Sequence, residues 1–180
     1  MSTLSIKIKR ENINPNSAAG IHFGGYYEIP VSKHFALQPS MIFSAKGADY
    51  KIDTITISLA PAYIELPVNA LLSFDLKFAK VSFFSGPYFA YAFGGYKNET
   101  GLPFKYISYG SGENHDLRPF DIGLNFGARL MIKEYEFSVQ YGLGLSNISP
   151  VRGFNTEMKN RVVGFSILRK GRITDFKPNR

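Results

Sequence analysis

Large apolar side chains alternate with small or polar side chains along most of the chain, and this pattern predicts β-strands. The clearest stretch begins at Phe120 and continues to Ile132, with an apolar residue at every second position. A period of two residues over this length is typical of a strand and not of a helix. We count eight such stretches and no convincing helix. They lie near residues 4–8, 21–29, 35–45, 64–74, 81–93, 120–132, 135–145 and 163–167.

The connections between these stretches are of two lengths. Short ones lie near residues 31–34, 75–79 and 133–134, and long ones near 10–19, 47–58, 96–118 and 147–160. Short turns at one end and long loops at the other are typical of an up-and-down antiparallel barrel. We therefore predict an all-β fold, an eight-stranded antiparallel up-and-down β-barrel.

The two faces of each predicted strand differ in side-chain size. Phe, Tyr, Leu and Ile fill one face, whereas Gly, Ser and Ala with a few ionic residues fill the other. A surface in water normally carries many Lys and Glu side chains, but small side chains suit the interior of a narrow barrel. The pattern therefore favours a transmembrane barrel with an apolar outer surface. A soluble, lipocalin-like ligand-binding barrel, with its apolar faces inward, is an alternative.

Four polar or ionic residues share the small face near the short-turn end of the predicted strands: Glu28, Gln38, Arg129 and Glu136. Charged groups inside a barrel need partners, so we expect these four to form a buried cluster of hydrogen bonds and ion pairs. An eight-stranded barrel filled by its own side chains is not a general pore.

The length of the apolar stretches also suits a membrane. A stretch of about 9–13 residues is enough to cross a bilayer as a tilted strand. Five tyrosines near strand ends suit an aromatic girdle at the membrane interface, although ordinary strand composition explains any one of them equally well. They are Tyr27, Tyr63, Tyr91, Tyr135 and Tyr141.

The composition excludes several kinds of site. The 180 residues include no Cys, so the chain has no disulfide, thiolate metal site or Cys nucleophile. Lys and Arg number 21 against 14 Asp and Glu, a formal charge of +7. These basic residues are spread along the chain, so we expect basic loops and ends that face anionic lipid head groups and no nucleic-acid partner.

The chain contains no run of about 18 apolar residues, the length that a transmembrane helix needs. Its first residues also lack the apolar core of a signal peptide. We therefore expect either a cytosolic protein or a mature form from which a targeting segment was removed.

Several short stretches together resemble the outer-membrane β-barrel domain family of Bacteroidota, often described as PorT-like. They are GGYYEIPVSKHFALQP at 24–39, FSAKGA at 43–48, YIELPV at 63–68, GPYFAY at 86–91, FDIGLNFG at 120–127, YGLGLSNI at 141–148 and KNR at 159–161. Their order and spacing are more specific than any single piece, and the similarity covers roughly residues 20–168.

The resemblance implies a barrel that is exported through a signal peptide to the bacterial outer membrane, with the signal since removed. It implies no reaction and no cofactor, and some members serve in secretion or envelope-assembly machines. Residues 1–168 are then one barrel domain in contact with outer-membrane lipid. Residues 169–180 are a basic C-terminal tail, which we expect to be periplasmic.

We expect the activity in the long loops or in a contact with a protein partner of a membrane complex, and not in catalysis. The loop at 96–118 contains Tyr96, Phe104, Tyr106 and Tyr109. Aromatic side chains of this kind suit a protein contact. Packing over the barrel mouth explains them at least as well.

The three histidines are His22, His34 and His115. A lipid-modifying barrel enzyme would need a Ser and a His on one strand face, and Ser44 is a weak candidate for such a partner of His22. Adjacent residues on a flexible loop, as around His115, rarely hold the geometry of a metal or acid–base site. We expect no metal site and no catalytic residue.

Overall fold

The computed structural model describes residues 2–8, 11–13, 16–17, 19–52, 55–112, 114–150 and 157–169, which form β-strands joined by turns and loops. In chain order the strands are β1 (Ser2–Ile8), β2 (Glu11–Ile13), β3 (Asn16–Ser17), β4 (Ile21–Tyr26), β5 (Ile29–Pro30), β6 (Phe35–Ala45), β7 (Ala48–Ile52), β8 (Ile55–Asp75), β9 (Lys80–Glu99), β10 (Lys105–Tyr106), β11 (Phe120–Ile132), β12 (Tyr135–Gly144) and β13 (Glu157–Arg169).

These strands form one curled antiparallel sheet, which confirms the predicted all-β antiparallel fold. Its order is β2-β1-β13-β12-β11-β9-β8-β6-β4, with β3, β5, β7 and β10 as short additions. Each predicted stretch falls on one of eight main strands, β1, β4, β6, β8, β9, β11, β12 and β13. The predicted count of eight omits the five short strands. None of the described residues belongs to a helix that could cross a bilayer.

Where burial is described, on β4, β6, β8, β9, β11, β12 and β13, the apolar faces of the strands point outward, as the transmembrane interpretation requires. Along β11, Phe120, Ile122 and Phe126 are exposed, whereas Asp121 and Asn125 between them are buried. The same alternation continues along β9 and β12. A soluble barrel with its apolar faces inward is therefore the wrong alternative.

Four of the five girdle tyrosines are exposed, and the prediction is wrong for the fifth. Tyr63 is fully buried. It lies two residues from Glu65, so the period of two places both side chains on the inward face.

Glycines on the inward face make room for two aromatic rings inside the barrel. Phe84 and Tyr88 interrupt the row of small inward residues along β9, and both are buried. The ladder between β9 and β11 pairs Phe84 with Gly127 and Tyr88 with Gly123. A Cβ atom at either glycine would lie against the ring of its partner. Large and small side chains are thus complementary across this ladder.

Replacing Gly127 by alanine is expected to lower the free energy of unfolding by about 1–3 kcal/mol, the usual effect of overpacking. The new Cβ would lie against the Phe84 ring and 2.6 Å from the Val139 backbone oxygen, which cannot turn aside. Urea unfolding in detergent micelles measures the change. Gly94→Ala is the matched control, because a Cβ there has no atom within 4 Å. Equal losses in the two variants would contradict the packing argument.

Strands β8 and β9 are 21 and 20 residues long, about twice the 9–11 residues that cross a membrane. Their ladder reaches Ile57 and Glu99. The predicted long connection at 47–58 is therefore wrong over most of its length, since β7 and the start of β8 occupy it. The connections at 96–118 and 147–160 are likewise shorter than predicted. Backbone groups continue to pair with one another outside the lipid, where an apolar face is no longer needed.

The seam of the sheet is where β4 faces β13, and no ladder joins these two strands among the described residues. Strand β1 pairs with residues 157–162 of β13. The path β13-β12-β11-β9-β8-β6-β4 is antiparallel at every step, so β13 and β4 run in the same direction. They therefore cannot close this seam by an antiparallel ladder with each other.

Candidate functional site

The structure brings together the four side chains that the sequence places at the short-turn end of the interior. Arg129 on β11 is their centre. Its Nη2 donates to Gln38 Oε1 at 2.8 Å, and its Nε lies 2.9 Å from Glu136 Oε1. Its Nη1 lies 3.5 Å from Glu28 Oε2. We call these four residues the short-turn cluster.

Aromatic rings and a further hydroxyl complete the short-turn cluster. The Tyr26 hydroxyl donates to Glu136 Oε2 at 2.5 Å. The guanidinium carbon of Arg129 lies 4.8 Å from the Tyr26 ring centroid and 5.8 Å from that of Phe84. Lys80 Nζ lies 3.9 Å from Glu28 Oε1. The short-turn cluster and Lys80 together hold two carboxylates and two cations, so their charges balance.

A second polar cluster lies nearer the loop end of the barrel, and the sequence pattern did not predict it. Lys46 follows β6 and is buried, with Nζ 3.1 Å from Glu65 Oε1 and 3.9 Å from Asp121 Oδ2. The same ammonium lies 4.7 Å from the Tyr63 ring centroid and 5.3 Å from that of Tyr88. Ser44 donates to Glu65. We call Lys46, Glu65, Tyr88 and Asp121 the upper cluster.

Asp121 is fully buried and joins strands that are distant in the sequence. Its Oδ2 accepts from Tyr88 at 3.0 Å and from Asn160 Nδ2 at 2.7 Å, and its Oδ1 accepts from Ser146 at 2.7 Å. The alternation of side chains could have predicted that Asp121 is an interior residue, because it is the one carboxylate on the inward face of the predicted strand at 120–132.

An apolar cap covers the loop end of the interior. Ala48, Ile107, Leu117, Ile148 and Met158 are buried against one another there. They come from β7, β13 and the connections that follow β10 and β12. The described loops therefore fold over the barrel mouth and pack on its contents.

Tyr109 belongs to this cap, although the sequence also allows it as a contact residue. It packs against the buried Tyr63 and Tyr88, and its hydroxyl donates to the Gly94 carbonyl at 2.7 Å. Burial raises the pKa of Tyr109, and the Asp116 carboxylate raises it further. The phenol therefore stays protonated at neutral pH and remains a donor.

The other three aromatic residues of this loop are exposed. Tyr96 and Tyr106 stand side by side, with ring centroids 5.0 Å apart, and Phe104 lies two residues before Tyr106 in the chain. Leu102 is also exposed nearby in the chain. We call Tyr96, Leu102, Phe104 and Tyr106 the loop patch.

The three histidines have separate surroundings. His22 on β4 has Nε2 2.6 Å from Ser166 Oγ on β13, across the seam. Its partner is therefore Ser166 and not Ser44, which bonds to Glu65. His34 Nδ1 lies 3.1 Å from the Ser73 carbonyl oxygen, and His115 lies in the loop beside Gly110. Among the described residues, no three His, Asp or Glu side chains are grouped as metal ligands.

The basic tail is only partly described. Arg169 is the last residue of β13, one position beyond the predicted domain end, and its Nη2 lies 3.2 Å from Glu134 Oε2. Both side chains are exposed. The remainder of the tail, 170–180, lies outside the described residues.

Two buried clusters and a cap fill much of the barrel, and one cavity lies beside each cluster. One has a volume of about 360 Å³ and includes Lys46, Glu65 and Asn125 in its wall. The other has a volume of about 320 Å³ and includes Gln38, Asn69 and Arg129. Both reach the seam, where His22 lines both.

Comparison with known proteins gives one match. Residues 1–149 match the family described as outer membrane protein β-barrel domain. This match covers most of the chain. A search of curated proteins and a search of solved structures each returned no match.

Proposed function

Since the chain belongs to the outer membrane protein β-barrel domain family, which places it in the bacterial outer membrane, we propose that it acts without catalysis. Its proposed role is that of a structural or accessory component of an envelope or secretion complex. The proposal includes the finer placement that the sequence resemblance implies, among PorT-like barrels of Bacteroidota. Its partners are lipid around the barrel and a protein at the loop patch.

The observation that carries this proposal is the loop patch on a sheet that extends beyond the lipid. Strands β8 and β9 continue well past the length of a membrane crossing, and β10 pairs with β9 at Tyr96 and Tyr106. Phe104 and Tyr106 are about three-quarters exposed. Aromatic side chains are enriched where proteins bind each other, so exposed aromatic residues on the loops suit such a surface.

The filled interior supports a role other than transport. The short-turn cluster crosses the barrel at one end, and the upper cluster and the cap cross it nearer the other. Arg129, Lys46 and Asp121 are each at least nine-tenths buried. Opening a water-filled path would separate these buried ion pairs, which is costly in a medium of low dielectric constant.

The test is the size of the assembly that the protein forms in its own membranes. Extracts in mild detergent are separated by native electrophoresis, and the protein is detected with an antibody. We expect the wild type to migrate in a complex larger than the single chain. The double variant Phe104→Ser, Tyr106→Ser should migrate as the single chain, because each lost aromatic anchor removes roughly 2 kcal/mol or more of binding free energy.

Phe78→Ser is the matched control for this experiment. Among the described residues, Phe78 is the most exposed large apolar residue, and it lies in the short turn between β8 and β9, at the opposite end of the barrel. The Phe78→Ser variant should leave the complex intact. Migration of the wild type as a single chain, or loss of the complex in both variants, would reject the proposed role of the loop patch.

A lipid-modifying enzyme is the second candidate, and the contact between His22 and Ser166 favours it. A Ser nucleophile needs a His within hydrogen-bond distance, as here, and a third group that orients the ring. Among the described residues, no hydrogen bond or ion pair joins His22 to a carboxylate. The accessory role therefore has the stronger support.

A further inference from the structure

Tyr96 and Tyr106 face each other across the short ladder between β9 and β10. Their ring centroids are 5.0 Å apart, and the ring planes are tilted by 36°. The Tyr106 side chain raises the pKa of Tyr96, chiefly through a hydrogen bond between the two. The hydroxyl edges of the rings therefore meet, which brings the ring carbons beside each hydroxyl, the ortho carbons, close together.

Both rings are accessible at the loop end of the barrel. Tyr96 is 52% exposed and Tyr106 is 76% exposed. They lie at the far end of β9 and on β10, beyond the stretch of β9 that a membrane crossing needs. An oxidant in the aqueous phase can therefore reach them. By contrast, Tyr63 and Tyr88 are buried inside the barrel, where such an oxidant would not contact their hydroxyl groups.

The composition of the chain favours a reaction between these two rings. The chain has no Cys and no Trp, the side chains besides Tyr that most readily give up one electron. Methionine reacts in a different way, by gaining oxygen at its sulfur. A radical on Tyr96 or Tyr106 is therefore not repaired by a Cys or a Trp of the same chain, and its nearest reactive partner is the other tyrosine.

From these observations we propose that Tyr96 and Tyr106 are a site of oxidative cross-linking, at which a haem peroxidase and hydrogen peroxide join the two rings as dityrosine. Each phenol gives up one electron and its hydroxyl proton, and together these reduce one hydrogen peroxide to two water molecules. The two phenoxyl radicals then form a bond between their ortho carbons. The hydrogen on each joined carbon moves to the neighbouring oxygen as a proton and restores the phenol. The product has thus lost two hydrogen atoms.

The new bond closes a ring from residue 96 to residue 106. Leu102 and Phe104 of the loop patch lie inside this ring. Closing it restricts the loop in the way that a disulfide does, which this chain cannot form because it lacks Cys. The inference does not rest on the proposed accessory role, because the reaction requires no bound partner protein.

The experiment treats the full chain, folded in detergent micelles, with hydrogen peroxide and a plant haem peroxidase. Trypsin cuts after Lys97 and Lys105, so the two tyrosines lie on separate peptides, 81–97 and 106–129. Mass spectrometry should show these peptides joined, with a mass equal to their sum less two hydrogen atoms. The blue fluorescence of dityrosine should appear in the same sample.

Dilution separates coupling within one chain from coupling between chains. A neighbour held in the same chain has an effective concentration in the millimolar range, about a thousandfold above micromolar protein. The fraction of joined peptide should therefore stay unchanged when the protein is diluted about tenfold. The cross-linked protein should also migrate in SDS as a single chain.

Tyr96→Phe and Tyr106→Phe each keep the ring and remove only the hydroxyl group. Either change should lower the yield of joined peptide at least about tenfold, because no other tyrosine hydroxyl is held in position for the reaction. Tyr91→Phe is the matched control. Tyr91 lies on the same peptide as Tyr96, is 48% exposed and has an aromatic neighbour at 5.2 Å, but that neighbour is Phe120. This variant should leave the yield unchanged.

Three results would overturn the proposal. They are absence of the joined peptide in the wild type, a yield in Tyr106→Phe that equals the yield in Tyr91→Phe, and a yield that falls in proportion to protein concentration. The mobility shift in SDS on boiling verifies that each variant is folded. The dilution series uses the wild type alone, so it tests the proposal even if a variant fails to fold.

Discussion

Replacing Arg129 by methionine is expected to lower the free energy of unfolding by about 3–5 kcal/mol, the cost of leaving a buried charge without its partner. The change removes the cation that faces Glu136 and Glu28 inside the barrel. It also leaves Gln38 Oε1 without its donor. Methionine keeps much of the side-chain volume, so the loss reports on charge and hydrogen bonds more than on a cavity. Urea unfolding in lipid vesicles gives the free energy.

The control for Arg129→Met is Arg169→Met. Arg169 pairs with Glu134, but their side chains are 69% and 50% exposed, so its loss should cost no more than about 1 kcal/mol. The double variant Arg129→Met, Glu136→Gln should recover part of the loss, because it removes the unpaired carboxylate as well. Similar losses for Arg129→Met and Arg169→Met would show that the short-turn cluster does not stabilise the barrel.

Replacing Asp121 by leucine is expected to destabilise the protein by a similar amount, about 3–5 kcal/mol. Tyr88, Asn160 and Ser146 would each lose their acceptor. Of the counter-ions of Lys46 in the described part of the chain, Glu65 alone would remain. Each buried group left without a partner costs about 1–3 kcal/mol. The same urea titration measures the effect, and the boiling-dependent shift in SDS should disappear at a lower temperature.

Asp75→Leu is the control for this second variant. Asp75 is exposed at the end of β8, and surface changes of this kind usually remain within about 0.5 kcal/mol. Asp121→Asn should lie between the two, because the amide keeps one acceptor oxygen but loses the charge. If Asp121→Leu unfolds at the same urea concentration as Asp75→Leu, the upper cluster is not an energetic centre of the fold.

The alternation of side chains determined which residues face lipid and which face the interior. In an extended strand the side of each residue follows from its neighbours alone. Phe120, Ile122 and Phe126 are therefore outward for the same local reason that Asp121 is inward. The same rule places Tyr63 inside the barrel, so including Tyr63 in the aromatic girdle was inconsistent with the rule.

Depth along the barrel was predictable only from the short-turn end. A short turn shows where one strand ends and the next begins. The number of residues between Gln38 or Arg129 and the nearest short turn therefore gives its height along the barrel axis. At the loop end, counting residues from a turn gave wrong heights, because β8, β9 and β13 continue into stretches that the sequence pattern predicts as loops. For this reason the sequence did not show that Lys46, Glu65 and Asp121 lie at the same height along the barrel axis. The alternation of side chains predicts only the face of the strand on which each of them lies.

The sequence by itself determined the fold class, the orientation of the faces and the four residues to expect at the short-turn end, because these depend on period and on nearby turns. Only the tertiary structure decided the upper cluster, the contact of His22 with Ser166 and the two cavities beside the clusters. Each of these depends on the register and closure of strands that are far apart in the chain. His22 and Ser166 are 144 positions apart, and no local pattern reports which strands meet at a seam.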